Sequence, residues 1–309
     1  MVDAMDPHTR LRQVVAQGPG KFQQGRWGAL LDLRAIEPQQ EIILVGDLHA
    51  RLDNVHAILN HQDALGCSVR RRVEEGAVMV LLGDIVHQDP YFAGHGSEEE
   101  IEARLQDMTG SIAIMQEILE LKREFPQEVY YILGNHDYLS DRLEKGGVTQ
   151  GIAHRNALEK EFGREYVSMY ETFLRHCPVL LAADGLLAAH GGPAHGLRSL
   201  EAVADLDPLD EAYPVLEALQ WGRYGRTYSE RDVKKFLKAA GQPSAYLVVG
   251  HSPAFISYGD FRAELCPRHY VLYSAGDFPG YAVYRDKKLE FVGVTTLGQG
   301  DNEQVERAE

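Results

Sequence analysis

Residues 41–49 read Glu-Ile-Ile-Leu-Val-Gly-Asp-Leu-His, an apolar run that ends in glycine and then presents a carboxylate and an imidazole. A short apolar run bounded by glycine predicts a strand that is buried on both faces. Polar residues at the tips of buried strands are where α/β folds place their functional sites. We therefore expect Asp47 and His49 to belong to a site at the end of this strand.

Four further apolar runs end in the same way. They are residues 77–82 before Gly83-Asp84, 129–133 before Gly134-Asn135-His136-Asp137, 186–189 before His190-Gly191-Gly192, and 246–249 before Gly250-His251. Asp, Asn and His suit borderline and hard divalent metals, and no cysteine accompanies them. One Gly-Asp pair after a strand is usually a turn, but five clusters in succession predict a metal site assembled from separate strands.

The residue types in these clusters predict two metal ions. Asp47 and His49 can chelate one ion, because alternate residues of an extended segment project to the same side. The other predicted ligands are Asp84 as the bridge and Asn135, His190 and His251 on the second ion. Two metals about 3.5–4 Å apart turn water into hydroxide and clamp both oxygens of an in-line phosphoryl transfer. The predicted reaction is therefore phosphoester hydrolysis by a metal-bound hydroxide.

The bulk composition limits the class of partner. The chain has 309 residues, of which 44% are hydrophobic and 25% charged, as in an average globular protein. A formal net charge of −15 argues against nucleic acid as a partner held through its phosphates. No apolar run approaches the length of a membrane span, and no secretory signal segment is recognised at the N-terminus. Three cysteines without a Cys-x-x-Cys pair predict reduced thiols and a cytoplasmic location. Nothing in the sequence predicts the oligomeric state.

The ordered clusters resemble the signature of the calcineurin-like metallophosphoesterases. Within that superfamily they are most similar to the serine/threonine phosphoprotein phosphatases and their bacterial relatives, which include symmetrical diadenosine tetraphosphatases. The resemblance spans roughly residues 42–294 and includes Gln220-Trp221-Gly222-Arg223. It implies an α/β (α+β) fold, a β-sandwich of two mixed sheets flanked by helices, with the metals at the strand ends.

The resemblance also implies roles for individual residues. The implied metal ligands are Asp47, His49, Asp84, Asn135, His190 and His251. His136 is implied to protonate the leaving alkoxide or to stabilise the transferring phosphoryl group, which suits a histidine whose pKa lies near working pH. Arg223 and Arg226 are candidates to bind phosphate oxygens through the guanidinium fork. Arg51 is a further candidate for this contact, and Asn135 is also expected to face the substrate.

One departure from the family pattern follows Asp84. The family normally continues as Asp-Arg-Gly, whereas this chain has His87 and Gln88 in place of the acid that orients the catalytic histidine and of an arginine that binds phosphate. In one interpretation Asp89 or Asp137 supplies the orienting carboxylate and another arginine binds the phosphate. In the other, the enzyme is slow or has a different substrate.

The resemblance divides the chain into three parts. Residues 1–40 are predicted as an N-terminal extension, 41–297 as the metallophosphoesterase domain and 298–309 as a flexible tail. A helical insertion is predicted at about residues 90–125, with a loop rich in Gly, Pro and His before one or two helices. The final strands are expected as an antiparallel meander at residues 270–275, 280–284 and 289–294.

Three functional hypotheses follow, in a fixed order of preference. The first is a metal-dependent phosphomonoesterase similar to serine/threonine protein phosphatases, acting on a phosphoprotein or a small phosphoester. The second is a dinucleoside polyphosphate hydrolase or another phosphodiesterase, and the third is a metal-binding interaction protein with little catalysis. The expected cofactors are two divalent or trivalent metal ions, Mn, Fe or Zn, with Mg also compatible with the same ligands.

Overall fold

The structure is a computed structural model that describes residues 5–89, 97–210 and 212–295, together with the backbone of residues 305–307. The helices are α1 (Pro7–Gln17), α2 (Leu52–Asn60), α3 (Val69–Glu74), α4 (Glu98–Gln106), α5 (Thr109–Glu124), α6 (Gln150–Phe162), α7 (Arg164–Arg175), α8 (Glu201–Ala204), α9 (Pro214–Trp221) and α10 (Glu230–Ala239). The strands are β1 (Gln23–Gln24), β2 (Leu30–Leu33), β3 (Ile42–Val45), β4 (Val78–Leu81), β5 (Val129–Tyr131), β6 (Glu144–Lys145), β7 (Val148–Thr149), β8 (Leu180–Ala183), β9 (Leu186–Ala189), β10 (Tyr246–Val249), β11 (Arg262–Cys266), β12 (His269–Leu272), β13 (Gly280–Arg285), β14 (Lys288–Gly293) and β15 (Val305–Arg307).

Two large mixed sheets form the centre of the fold, as predicted. One has six strands in the order β15-β14-β13-β3-β4-β5, and the other has seven in the order β1-β2-β8-β9-β10-β12-β11. The strands β3, β4 and β5 are parallel neighbours in the first sheet, and β9, β10 and β12 are parallel neighbours in the second. Each sheet therefore brings the carboxyl ends of several strands to one edge, which is where α/β folds hold their sites.

The alternation of side chains along each strand explains how the layers pack. Ile42 and Leu44 of β3 join a core shared with the seven-stranded sheet, for example with Val248 of β10. Ile43 and Val45 point to the other face and join the core that the flanking helices cover. Because both faces of the strand are apolar, it is buried between a sheet and a helical layer. The predicted β-sandwich flanked by helices is confirmed.

The predicted N-terminal extension contributes to the same body. Helix α1 begins after Asp6, whose carboxylate accepts a hydrogen bond from the Thr9 N–H at 2.9 Å, and it packs against α5 and α7. Strand β2 pairs in parallel with β8 at the edge of the seven-stranded sheet. Residues 7–33 are therefore built into the fold and extend the second sheet by two strands.

The predicted C-terminal meander is wrong in its first strand. Strands β13 and β14 do form an antiparallel hairpin, with Asp286 and Lys287 at positive φ in the two-residue turn. Strand β12, however, lies in the other sheet, parallel to β10 and antiparallel to β11. All four residues of β12 are buried, which suits an interior strand covered on both faces better than an outer strand of a meander.

The predicted insertion forms two helices where it is described. Helix α4 begins with a capping box, in which the Ser97 hydroxyl accepts from the Glu100 N–H and the Glu100 carboxylate accepts from the Ser97 N–H. Residues 90–96 of the insertion lie outside the described residues, and so does most of the predicted tail, apart from the backbone of β15. Among the helices described, none is long and apolar enough to cross a membrane.

Candidate metal centre

The six predicted metal ligands follow strand ends, and both sheets contribute to the set. The six-stranded sheet supplies Asp47 and His49 after β3, Asp84 after β4 and Asn135 after β5, and the seven-stranded sheet supplies His190 after β9 and His251 after β10. Every one of these side chains is buried, with at most 5% of its surface exposed. The cluster is therefore a joint product of the two sheets, at the edge where the carboxyl ends of their strands meet.

Asp84 lies at the centre of the cluster. Its Oδ2 atom is 3.1 Å from His190 Nε2, 3.8 Å from His136 Nε2 and 4.0 Å from His49 Nε2. Two groups of possible ligands share it, His49/Asp84/His136 and Asp84/His190/His251, each with ligand atoms within 4.8 Å of one another. One carboxylate common to two groups is the arrangement that a bridging ligand requires.

Asp47 and Asn135 contact these groups from the side. The Asp47 carboxylate lies 3.8 Å from His49 Nε2 and 3.8 Å from His190 Nδ1, and it accepts the backbone N–H of His251 at 3.0 and 3.1 Å. Asn135 Oδ1 is 3.0 Å from His190 Nε2. The sequence predicted that Asp47 and His49 chelate one ion. In the structure the compact group contains His49, Asp84 and His136, and Asp47 is not part of it.

The backbone after each strand is shaped to bring these side chains together. His49, Asp84 and His251 all have positive φ values, of 43°, 50° and 65°, which are uncommon for residues with a side chain. Two glycines permit the close approach of a carboxylate to backbone. A Cβ atom would lie 2.3 Å from Asp84 Oδ1 at Gly134 and 2.1 Å from Asp47 Oδ1 at Gly250. Glycine at these positions is thus a steric requirement of the cluster.

The residues of the cluster fit a metal ion by their negative charge and by a ring nitrogen that has no hydrogen-bond partner among the described residues. Asp47 and Asp84 are each 1% exposed, and no Lys or Arg side chain forms an ion pair with either among the described residues. Buried carboxylates without a cation are costly. His251 Nε2 is also buried and without a hydrogen-bond partner within the described part of the chain. Together these features are what a bound divalent cation would satisfy.

The pKa values in the cluster show the same demand for positive charge. Burial opposes ionisation of Asp84, yet the His190 and His136 imidazoles hold its pKa well below the ordinary value of a carboxyl. Burial lowers the pKa of His190, but Asp84 and Asp47 outweigh burial and raise that pKa to about 9. Burial, together with the charge of Asp84, raises the pKa of Asp47. The carboxylates therefore stabilise a cation at this position.

His136 lies beside the ligands, but neither proposed carboxylate orients it. Its backbone N–H donates to Asp84 Oδ1 at 2.8 Å, while its buried Nδ1 atom has no hydrogen-bond partner among the described residues. Asp137 instead accepts the backbone N–H groups of Gly134 and Asp84 at 2.7 and 2.9 Å. Asp89 accepts the Tyr273 hydroxyl at 3.2 Å. The expectation that Asp137 or Asp89 orients His136 is therefore not met by these hydrogen bonds, and Asp137 holds the loops that carry Asp84 and His136.

An open cleft with a volume of about 420 Å³ leads to the cluster. Its lining residues are Asp47, His49, Asp84, Asp89, His136, Lys145, Arg223, His251, Pro253, Ala254 and Ile256. Of the three predicted phosphate-binding arginines, only Arg223 lines the cleft, where its guanidinium donates to the His251 carbonyl at 2.8 Å. Arg51 pairs with Asp277 at 3.3 Å, and Arg226 is exposed outside the cleft. Of the three predicted arginines, only Arg223 is therefore placed to contact a ligand in the cleft.

Lys145 lines the cleft and was missed by the sequence analysis. It lies in β6, immediately before Gly146 and Gly147. A Gly-Gly pair between short extended segments is a hairpin signal, but nothing in the local sequence indicates that this hairpin reaches a site formed more than 50 residues away in the chain at Asp84. A long-range contact of this kind is visible only in the folded structure.

Comparison with solved structures gives the same fold at low sequence identity. A protein serine/threonine phosphatase from Saccharomyces cerevisiae matches with a TM-score of 0.61 and 13% identity, over 97% of this chain and 93% of that one. A cold-active protein-tyrosine phosphatase of a psychrophilic Shewanella species matches with a TM-score of 0.53 and 15% identity, over 90% of this chain and 82% of that one. At this level of identity the matches establish the architecture.

The sequence itself identifies the family. The profile of the calcineurin-like phosphoesterases matches residues 41–274, which is more than half of the chain. No match was found among curated proteins. The matched span contains every one of the five strand-end clusters, from Asp47 to His251. The chain therefore belongs to the calcineurin-like phosphoesterases, a metal-dependent family of phosphoester hydrolases.

Proposed function

We propose that this chain is a phosphomonoesterase that hydrolyses its substrate at a dinuclear metal centre. The observation that carries the proposal is the position of Asp84, whose carboxylate belongs to two separate groups of possible ligands, His49/Asp84/His136 and Asp84/His190/His251. A carboxylate shared in this way is suited to bridging two cations. Family membership supports the reaction class, because the chain is a phosphoesterase by its sequence profile.

The proposed ligands divide into two sets that meet at Asp84. Asp47 and His49 would hold the first ion and Asn135, His190 and His251 the second. Hydrogen bonds fix the orientation of two of the imidazoles, because His49 Nδ1 lies 2.9 Å from the His87 carbonyl and His190 Nδ1 lies 2.8 Å from the Leu82 carbonyl. Each of these Nδ1 atoms must donate, so that in the neutral ring the lone pair of Nε2 would be the one offered to a metal ion. Two divalent cations held here supply Lewis acidity toward phosphoryl oxygens and a nucleophile from water near neutral pH.

His136 is proposed to act on the phosphoryl or leaving oxygen by hydrogen-bond donation from Nε2. This atom faces Asp84 Oδ2 at 3.8 Å in the wall of the cleft. Burial holds the pKa of His136 well below the ordinary value of a histidine, although the Asp84 charge works in the opposite direction. A neutral imidazole with its proton on Nε2 can still donate to an oxygen on which negative charge develops.

Arg223 is proposed to bind the phosphate of the substrate. Its guanidinium lines the cleft and is held in place by the His251 carbonyl, which leaves further N–H groups of the fork for an anion. Burial, with the nearby Arg226, lowers the pKa of Arg223, but an arginine remains charged at neutral pH. The side chain therefore supplies positive charge to a cleft that also contains three aspartates.

The test is a hydrolysis assay with p-nitrophenyl phosphate in the presence of Mn²⁺, Fe²⁺, Zn²⁺ or Mg²⁺. We expect turnover that depends on one or more of these ions and that is abolished in Asp84→Asn. The matched control is Asp184→Asn, because Asp184 has 65% of its side chain exposed, pairs with Lys287 and lies outside the cleft. Metal analysis should give two ions per chain for the wild type and fewer for Asp84→Asn.

The substrate class is tested by comparing phosphopeptides with dinucleoside polyphosphates. We expect higher kcat/KM for the monoesters, because the cationic side chains that line the cleft, Arg223 and Lys145, lie at the metal cluster itself. Faster cleavage of dinucleotides would instead favour the second hypothesis, a dinucleoside polyphosphate hydrolase. No turnover above the Asp84→Asn background with any of the metals would instead favour a metal-binding protein without efficient catalysis.

A further inference from the structure

The cleft is lined by several carboxylates, although the proposed reaction requires it to bind an anionic substrate. Three of its lining residues are the carboxylates Asp47, Asp84 and Asp89. Two lining residues, Arg223 and Lys145, carry a positive charge that does not depend on a bound metal. Each of these two cations therefore contributes a large share of the attraction for a phosphate group. Arg223 has been given this role above, while Lys145 has no role in the proposed mechanism.

Lys145 is held at the cleft by a short hairpin. Strands β6 and β7 pair in antiparallel register, with Lys145 opposite Val148, and Gly146 and Gly147 form the two-residue turn at φ values of 55° and 78°. Positive φ at both turn positions is the geometry that continues the natural twist of a hairpin. Val148 is 4% exposed, so the hairpin is anchored in the core on its other strand.

Packing against the helical insertion fixes the hairpin further. Strand β7 contacts both α4 and α6. A Cβ atom at Gly146 would lie 2.6 Å from the Leu105 side chain of α4, and Leu105 is itself 1% exposed. The turn therefore lies directly on a buried leucine. The insertion thus packs against the hairpin that carries Lys145.

The Lys145 ammonium is available to a ligand. No ion pair or hydrogen bond of this side chain occurs within residues 5–89, 97–210 and 212–295. Arg51, by contrast, pairs with Asp277 at 3.3 Å. Lys145 is thus a cation that lines the cleft and has no carboxylate partner in the part of the chain that the structure describes.

We propose that Lys145 is a substrate-binding residue that contacts the phosphoryl oxygens. It would take the role of the phosphate-binding arginine that Gln88 replaces in this chain. The proposal rests on the proposed function, because it assigns a binding partner for the phosphate at that same site. A lysine offers a compact charge with three rotatable donors, whereas an arginine offers a planar fork. The hairpin therefore supplies the electrostatic attraction from a different element than the loop after Asp84.

The direct test is calorimetric titration of the Mn²⁺-loaded protein with inorganic phosphate. We expect Lys145→Met to raise the Kd about tenfold or more, because a hydrogen bond between two charged groups is lost. Lys145→Arg should restore most of the affinity. The matched control is Lys160→Met, which removes an exposed lysine of α6 outside the cleft and should leave the Kd unchanged.

Steady-state kinetics with p-nitrophenyl phosphate provide a second readout. A residue that only binds substrate should raise KM in the Lys145→Met variant while kcat changes much less. An unchanged phosphate Kd in a folded Lys145→Met protein, or no phosphate binding by the wild type, would overturn the assignment of Lys145. Absence of turnover in the wild type would overturn the proposed function alone, since the phosphate titration does not depend on catalysis.

Discussion

His251 and His269 belong to the same pair of parallel strands but lie at opposite ends of it. Strand β10 ends at Val249, and His251 follows it into the cleft, whereas β12 begins at His269 in register with Leu247. The two side chains are equally inaccessible, at 3% and 0% exposure. The strand pair therefore offers the same residue type and the same burial in two different surroundings.

The difference lies in what remains for the ring nitrogens to bind. His269 Nδ1 donates to the Leu247 carbonyl at 3.0 Å and its Nε2 accepts the Tyr228 hydroxyl at 2.9 Å, so both nitrogens are satisfied by protein. His251 Nε2 is buried with no partner among the described residues, and a ring nitrogen of His251 lies within 4.8 Å of the Asp84 and His190 ligand atoms. Burial alone does not mark a functional histidine; a free nitrogen beside a carboxylate does.

The largest effect is expected at the cleft end of the strand pair. His251→Gln should lower kcat/KM by about 10³-fold or more, because loss of this proposed ligand would weaken Lewis acid stabilisation that contributes several kcal/mol. Metal analysis of the same sample should show less than the wild-type metal content. The identical substitution at the other end, His269→Gln, serves as the control and should retain both metal and turnover. Equal losses of metal in the two variants would contradict the distinction between the two ends.

A second substitution in the cleft separates ligands from groups that act on the substrate. His136→Asn should lower kcat by about 10²-fold, at the lower end of the range for removal of a general acid or donor. Its metal content should remain that of the wild type. Because the compact group of possible ligands contains His136, this measurement is decisive. Loss of one metal ion in His136→Asn would make His136 a ligand and leave the donor role without a residue.

The residues of this site that could be predicted are those with a signal in their own short stretch of sequence. Each strand-end cluster combines an apolar run, a glycine and a metal-binding side chain within about ten residues, so Asp47, Asp84 and His251 could be selected without knowledge of the fold. The rule that parallel strands present their carboxyl ends at one edge brings Asp47 and Asp84 together within one sheet. The approach of His251 from the other sheet depends on how the two sheets pack. The sandwich of two mixed sheets was predicted from the family resemblance that the same clusters carry.

The part that could not be predicted depends on partners far apart in the chain. The sheet that receives β12 is decided by pairing with β10 and β11, while the local pattern of residues 270–275 suits either sheet. The carboxylate of Asp137 could have faced His136, but three backbone N–H groups, of Gly134, Asp84 and Ile85, bind it instead. Lys145 lines the cleft on a hairpin whose turn lies against Leu105 of α4. None of these contacts has a local signal.

The other end of the strand pair should respond in stability. His269→Gln should lower the free energy of unfolding by about 1–3 kcal/mol, since the Tyr228 hydroxyl and the Leu247 carbonyl lose a buried partner of the right geometry. Urea denaturation at pH 7 measures this change. The comparison is sharpened by His251→Gln in the metal-free protein, which removes no hydrogen bond from Nε2 and should cost less. Greater destabilisation by His251→Gln would reverse the assignment of structural and functional histidines.

The smallest effect concerns the pH dependence of that stability. Burial lowers the pKa of His269 to about 4, against an ordinary value of 6.5. A folded-state pKa below the unfolded one gives stability that is fully present above pH 6.5 and is lost as the pH falls toward 4. Between pH 7 and pH 5.5 this group alone should cost about 1 kcal/mol.

The measurement is the difference between the wild type and His269→Gln in urea denaturation at the two pH values. Contributions of the cleft are common to both proteins and cancel in the difference. The wild type should therefore lose about 1 kcal/mol more than the variant on acidification. Parallel losses in the two proteins would mean that His269 takes up its proton equally well in the folded and unfolded chain. That result would contradict the lowering of its pKa by burial of the charged ring.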